Sequence, residues 1–146
     1  MPQVDFYILS VNANEDAGSF PCRLTEKAYH AGLKVLLQTS SEQESKRLDD
    51  QLWAFKQGSF LPHDRVENLT NNTDNLIAPI LVGLQTPDIE RDILINLSPQ
   101  LPENPERFQR IAELVYNDET TKQAARERYR QYQQLGFEVK SHEIRG

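Results

Sequence analysis

Apolar and polar positions along the chain change period several times, and each change marks an element. Val4 to Leu9, reading Val-Asp-Phe-Tyr-Ile-Leu, is a run of strand formers that the polar stretch from Ser10 to Ser19 ends. From about Ser19 the spacing turns helical. Cys22, Leu24 and Ala28 fall on the apolar side, Pro21 sits in the first turn where a missing N–H costs little, and Gly32 supplies a left-handed cap. Leu33 to Thr39 returns to a strand. Thr39, Ser40 and Ser41 then precede Glu42 and Glu44 at capping-box spacing, and Leu48, Leu52 and Phe55 form a helical stripe, predicting a second helix that ends before Gly58.

The polar, Asn-rich segment from Asp64 to Asn75 reads as a loop, and the apolar runs Leu76 to Leu84 and Ile93 to Leu97 as the third and fourth strands. Asn104-Pro105-Glu106 resembles an N-cap, a first-turn proline and an acidic residue, predicting a third helix with Phe108, Ile111 and Val115 on one stripe. Asn117 and Asp118 mark a fresh start for a last helix that runs to Leu135, with Gly136 as its cap. Phe137 to Ile144 alternates well enough for an edge strand. Strands alternating with helices predict a three-layer α/β domain with a largely parallel sheet, and residues 1–146 fit a single domain of that kind.

Composition narrows the function. A net charge of −6 disfavours a broad face for nucleic acid, which needs clustered Lys and Arg. Cys22 is the only cysteine, so neither an internal disulfide nor a cysteine-rich zinc site can form. The start Met-Pro-Gln-Val-Asp lacks a basic then apolar leader, and no apolar run approaches the roughly 20 residues that span a bilayer, so a cytoplasmic location without membrane contact is expected.

A doubly wound sheet invites a search for a nucleotide site. Neither G-x-G-x-x-G nor G-x-x-x-x-G-K-[ST] occurs, and Gly18 stands alone after the first strand, so no phosphate-binding loop is expected. His30, His63 and His142 are too scattered for a metal site by spacing. Asp49-Asp50 and Asp64 fit a solvated helix face and loop better than an acid and base pair. Cys22, on an apolar stripe, reads as a buried thiol. No catalytic residue, metal or cofactor is expected; an enzyme that binds a nucleotide or metabolite through an unrecognised loop is the alternative.

One constellation does stand out. Between residues 122 and 130, Lys122, Arg126, Arg128 and Arg130 face Glu127 alone, concentrating positive charge on an acidic chain. Lys122, Arg126, Tyr129 and Arg130 lie at i, i+4, i+7 and i+8, on one helix face, whereas Arg128 lies about 200° from Arg126 and would serve as a control of equal charge. Three cations beside an aromatic suit a short acidic peptide with an apolar residue. Separately, Trp53 projects about 100° away from Leu52, and Phe60 follows a turn, so both are candidates for an exposed partner surface.

These segments carry a resemblance: Asp5-Phe6-Tyr7-Ile8-Leu9, Arg47-Leu48-Asp49 with Leu52-Trp53, Ser59-Phe60-Leu61-Pro62-His63, Arg91 to Leu97, and Lys122 to Arg130. In this order and at this length, from about residue 4 onward, the chain resembles the chi subunit of the bacterial DNA polymerase III holoenzyme. The resemblance implies a Rossmann-like fold without catalytic activity or a nucleotide site. It implies an adaptor in DNA replication that binds the psi subunit of the clamp loader and the acidic, Phe-terminated tail of single-stranded DNA-binding protein. Carried over by motif, the tail site takes Lys122, Arg126, Tyr129 and Arg130 with Val115 lining the pocket, and the psi site includes Trp53 and Phe60. The Asn-rich segment from Asn68 to Asn75 departs from the family pattern.

Overall fold

The computed structural model describes residues 3–16, 18–55, 61–66, 77–84, 87 and 89–144. Among these, seven strands form one sheet: β1 Gln3–Leu9, β2 Val35–Gln38, β3 His63–Arg65, β4 Ile80–Gly83, β5 Ile93–Asn96, β6 Arg110–Val115 and β7 Glu138–Ile144. Their order is β3-β4-β2-β5-β6-β1-β7, and every pairing is parallel. Four helices accompany them: α1 Ala13–Asp16, α2 Ser19–His30, α3 Glu42–Ala54 and α4 Glu119–Gln134.

The layers follow from the alternation of side chains along each strand. Val35, Leu37, Ile80, Val82 and Ile95 point to the face covered by α2 and α3, where Leu48 and Leu52 are buried. Val4, Phe6, Leu36, Leu81, Leu94 and Ile111 point to the other face, against Ala125 and Tyr132 of α4. Strands buried on both sides read as unbroken apolar runs, which is why β2, β4 and β5 were visible in sequence. The three-layer α/β expectation is met.

Local signals set the helix ends. The Ser41 side chain accepts a hydrogen bond from the Glu44 N–H, and the Glu44 carboxylate accepts one from the Ser40 N–H. Asp118 caps α4 by accepting from the N–H of Thr121 at 2.8 Å and from its hydroxyl at 2.9 Å. Gly136, at φ 87°, takes the left-handed position that closes α4.

The predicted third helix does not form. Pro105–Arg107 makes one 3-10 turn, Asn104 adopts φ 48° with no side-chain capping bond, and the following residues are β6. Ile111 and Val115, four apart, satisfy a strand's even period as well as a helix's i,i+4, so spacing alone did not discriminate. Two further elements were not anticipated. In the polar run after β1, Asn12 and Glu15 cap α1 reciprocally, each side chain accepting from the other's N–H. β3 has no apolar residue and lies at the sheet edge, carried into place by its pairing to β4. The stretch 67–76, which includes the start of the predicted third strand, lies outside the described residues, and its visible part is β4.

Candidate functional site

α4 divides its residues between two environments. Ala125, Arg128 and Tyr132 are buried beneath it, while Lys122, Arg126 and Tyr129 lie on the flank that faces β1 and β7. Between that flank and the sheet opens a groove of about 390 Å³, lined by Phe6, Ile8, Val115, Lys122, Ala125, Arg126, Tyr129 and Ser141. Its floor is apolar, and the Tyr129 ring leans on Phe6 at 5.2 Å between centroids. Its cations come from Lys122 and Arg126. Such a groove can hold an apolar group beside a carboxylate.

Of the residues read together from sequence, Val115, Lys122, Arg126 and Tyr129 line this groove. Arg130 does not; its guanidinium pairs with Glu127 at 3.3 Å on the exposed surface. Arg126 is also exposed and lies 3.6 Å from Glu119, about two turns earlier on α4. Phe6, Ile8, Ala125 and Ser141 were missed. Ala125 was available from helical periodicity, but the β1 and β7 residues need the strand order, which no local pattern supplies.

Arg128 is a correction. Expected as a surface cation equivalent to Arg126, it is instead 3% exposed and donates from Nε to Glu113 Oε1 at 2.9 Å. Its Nη1 donates to the Pro99 carbonyl at 2.9 Å. Glu113, on β6 and fully buried, also accepts from Asn96 Nδ2 at 2.9 Å and from the Tyr132 hydroxyl at 2.7 Å. Burial pushes the Glu113 carboxyl above the usual carboxylate range, and the Arg128 charge with these donors pulls against it. The same burial, with Glu113 adjacent, raises the Tyr132 hydroxyl. Treating β6 as a helix had hidden this partner for Arg128.

Trp53 is 57% exposed at the end of α3, so its predicted surface position is observed. Its ring stacks at a tilt 4.6 Å from His63, whose Nε2 lies 3.2 Å from Asp49 Oδ1 and whose Nδ1 lies 2.6 Å from the Leu61 carbonyl. Asp49 thus lies beside His63 and is only partly exposed. Phe60 lies outside the described residues.

A larger crevice of about 510 Å³ opens at the carboxyl ends of β1, β5 and β6, with Asn14, Glu44, Arg47, Tyr116 and Thr121 among its lining. The chain leaves β1 for α2 on one face and β6 for α4 on the other, so the crevice sits at a topological switch point. Beside it, Gly18 at φ 79° begins α2, and a Cβ there would run into Gln51. Asp16 accepts from the Phe20 N–H and from the Tyr116 hydroxyl. Burial, with Asp16 adjacent, raises the Tyr116 hydroxyl well above its ordinary range. Cys22 is 1% exposed, and burial, with Asp16 nearby, pushes its thiol up to about 11. Among the described residues no three His, Cys, Asp or Glu side chains gather as metal ligands, and no helix is long and apolar enough to cross a membrane.

Comparison with known proteins places these features in context. The family described as "DNA polymerase III chi subunit, HolC" matches residues 1–140. DNA polymerase III subunit chi of Pseudomonas aeruginosa is 34% identical over 145 residues, covering 99% of this chain and 98% of that one. The subunits of the same name from Haemophilus influenzae and Escherichia coli are each 30% identical, covering 95% of this chain in both cases and 95% and 96% of their own. Among solved structures, "The crystal structure of T4 UvsW" aligns with 99% of this chain but 41% of its own length, at a TM-score of 0.65 and 7% identity, a likeness of fold alone.

Proposed function

Because the chain belongs to the DNA polymerase III chi subunit family, we propose that it is a non-catalytic adaptor joining the clamp loader, through a psi subunit, to the acidic carboxyl tail of single-stranded DNA-binding protein. The observation that carries this reading is the groove beside α4: an apolar floor of Phe6, Ile8 and Val115 with Lys122 and Arg126 above it, on a chain of net charge −6. A terminal Phe fills the floor, its α-carboxylate meets Arg126 through two hydrogen bonds, and upstream acidic residues meet Lys122. Arg130 adds to the positive field beyond the groove. The exposed Trp53, beside His63 of β3 at the opposite end of the sheet order, serves as the psi anchor, and Phe60 is assigned to the same partner.

The partly exposed charges and single buried ring give modest attraction, so the dissociation constant is on the order of micromolar and rises with salt. Titration of a labelled acidic peptide ending in Phe tests it, with the same peptide bearing a carboxyl-terminal amide as comparison. Saturable binding that the amide loses supports the adaptor; equal, weak binding of both peptides overturns the tail site. The crevice at the switch point favours a second reading, a small-molecule site, and nucleotide-dependent thermal stabilisation would support it.

A further inference from the structure

α4 touches the rest of the molecule through two kinds of contact. Ala125 and the rings of Tyr129 and Tyr132 pack on the sheet apolarly, a contact with little directional preference. Arg128 and Tyr132, one turn apart, both bond to the single carboxylate of Glu113, and Arg128 also reaches the Pro99 carbonyl. Glu113 also accepts from Asn96, its register neighbour on β5. Its strand continues two residues later into Val115, the floor of the groove.

Burying an ion pair gains little stability over apolar residues of the same volume, because desolvating both charges offsets their attraction. Directional hydrogen bonds do fix an arrangement that apolar packing leaves free. A helix lying on a sheet can roll or slide, and a 20° roll moves atoms 8 Å from the axis by about 3 Å, more than a bidentate carboxylate contact tolerates. The groove uses side chains from three successive turns of α4, namely Lys122, Arg126 and Tyr129, against residues of the sheet. Its shape therefore depends on how α4 is rolled.

We propose that the buried Glu113–Arg128–Tyr132 network is a positioning device, fixing the roll and axial register of α4 so that Lys122, Arg126 and Tyr129 present one geometry to a peptide carboxylate. Glu113 and Arg128 touch no ligand; they act through the groove residues. The inference rests on the groove being a site for a peptide terminus.

The test replaces the pair without leaving a lone charge, as Glu113→Leu with Arg128→Met, and separately removes one bond but keeps the ring, as Tyr132→Phe. Each variant is examined by urea unfolding and by titration with an acidic peptide ending in Phe, as free carboxylate and as amide. The double variant leaves the Tyr132 hydroxyl and Asn96 Nδ2 without Glu113 as acceptor, so it is expected to stay folded with an unfolding midpoint somewhat below the parent's, and to bind the free-carboxylate peptide about tenfold more weakly, with its preference over the amide nearly lost. Tyr132→Phe is expected to give an intermediate loss of about threefold. A folded double variant with the parent's affinity and preference overturns the inference. Should that variant not fold, Tyr132→Phe decides alone, an unchanged preference overturning it and a reduced one supporting it. A parent chain that binds neither peptide overturns instead the reading of the groove.

Discussion

At the scale of single residues, charge on α4 is less uniform than its sequence. Arg126 and Arg128 are two positions apart and chemically identical, yet one is exposed beside the groove and the other is sealed against Glu113. Replacing them therefore measures different things. Arg126→Ala should leave the unfolding midpoint nearly unchanged and weaken binding of an acidic Phe-ending peptide by about 1.5 to 3 kcal/mol, the worth of hydrogen bonds to a charged group. Lys27, an exposed cation on α2, is the appropriate control, and Lys27→Ala should change binding less than about twofold. Equal losses from both in a titration would mean that net charge, rather than a formed site, attracts the peptide. The surface cation and the buried one could not be told apart from their spacing, because the deciding fact is a carboxylate fifteen residues away on a different element.

Elements were legible where one local signal sufficed. β1, α2, β2, α3, β5, α4 and β7 each had a period, a cap or a terminating glycine in sequence, and Gly32 and Gly136 do take positive φ at the helix ends. β6 was misread because Ile111 and Val115 fit two periods and because Asn104-Pro105-Glu106 imitates a helix start. The groove was half legible for the same reason: its α4 side follows from a helical stripe, whereas its β1 and β7 side exists only once strand order is known. The capping of α4 has its own consequence. Asp118 holds the first turn, immediately before Lys122, so Asp118→Ala should lower stability by about 1 kcal/mol in urea unfolding. It should also weaken the peptide through fraying of the turn that carries Lys122, while leaving any partner bound at Trp53 unaffected.

Across the whole molecule, β1 is the strand on which the others converge at one end of the sheet, lying between β6 and β7. Buried Asp5 joins all three: it accepts from Gln3 on its own strand, lies 2.8 Å from His142 Nε2 on β7 and 3.4 Å from Arg110 on β6. Burial alone would raise its carboxyl, but the hydrogen bonds from His142 and Gln3 and the Arg110 charge outweigh it and hold the carboxyl below its ordinary 3.8. A depressed folded value means the carboxylate's stabilisation is complete above that ordinary value and is lost as pH falls through the depressed one. Asp5→Asn should therefore be less stable at neutral pH and show a shallower decline below about pH 4, measured as unfolding free energy against pH. An identical acid limb in both proteins would remove Asp5 from that role. The same strand also sets an order of events in the making of the protein. Gln3 pairs with Arg110 and with Glu138, so β1 leaves the ribosome more than a hundred residues before either of its neighbours. At 5–20 residues per second that delay is on the order of ten seconds, during which Val4 and Phe6 have no sheet to join. A half-made or prematurely ended chain thus has neither the β1 floor in place nor α4 above it, and a ligand that reads the groove meets finished molecules only.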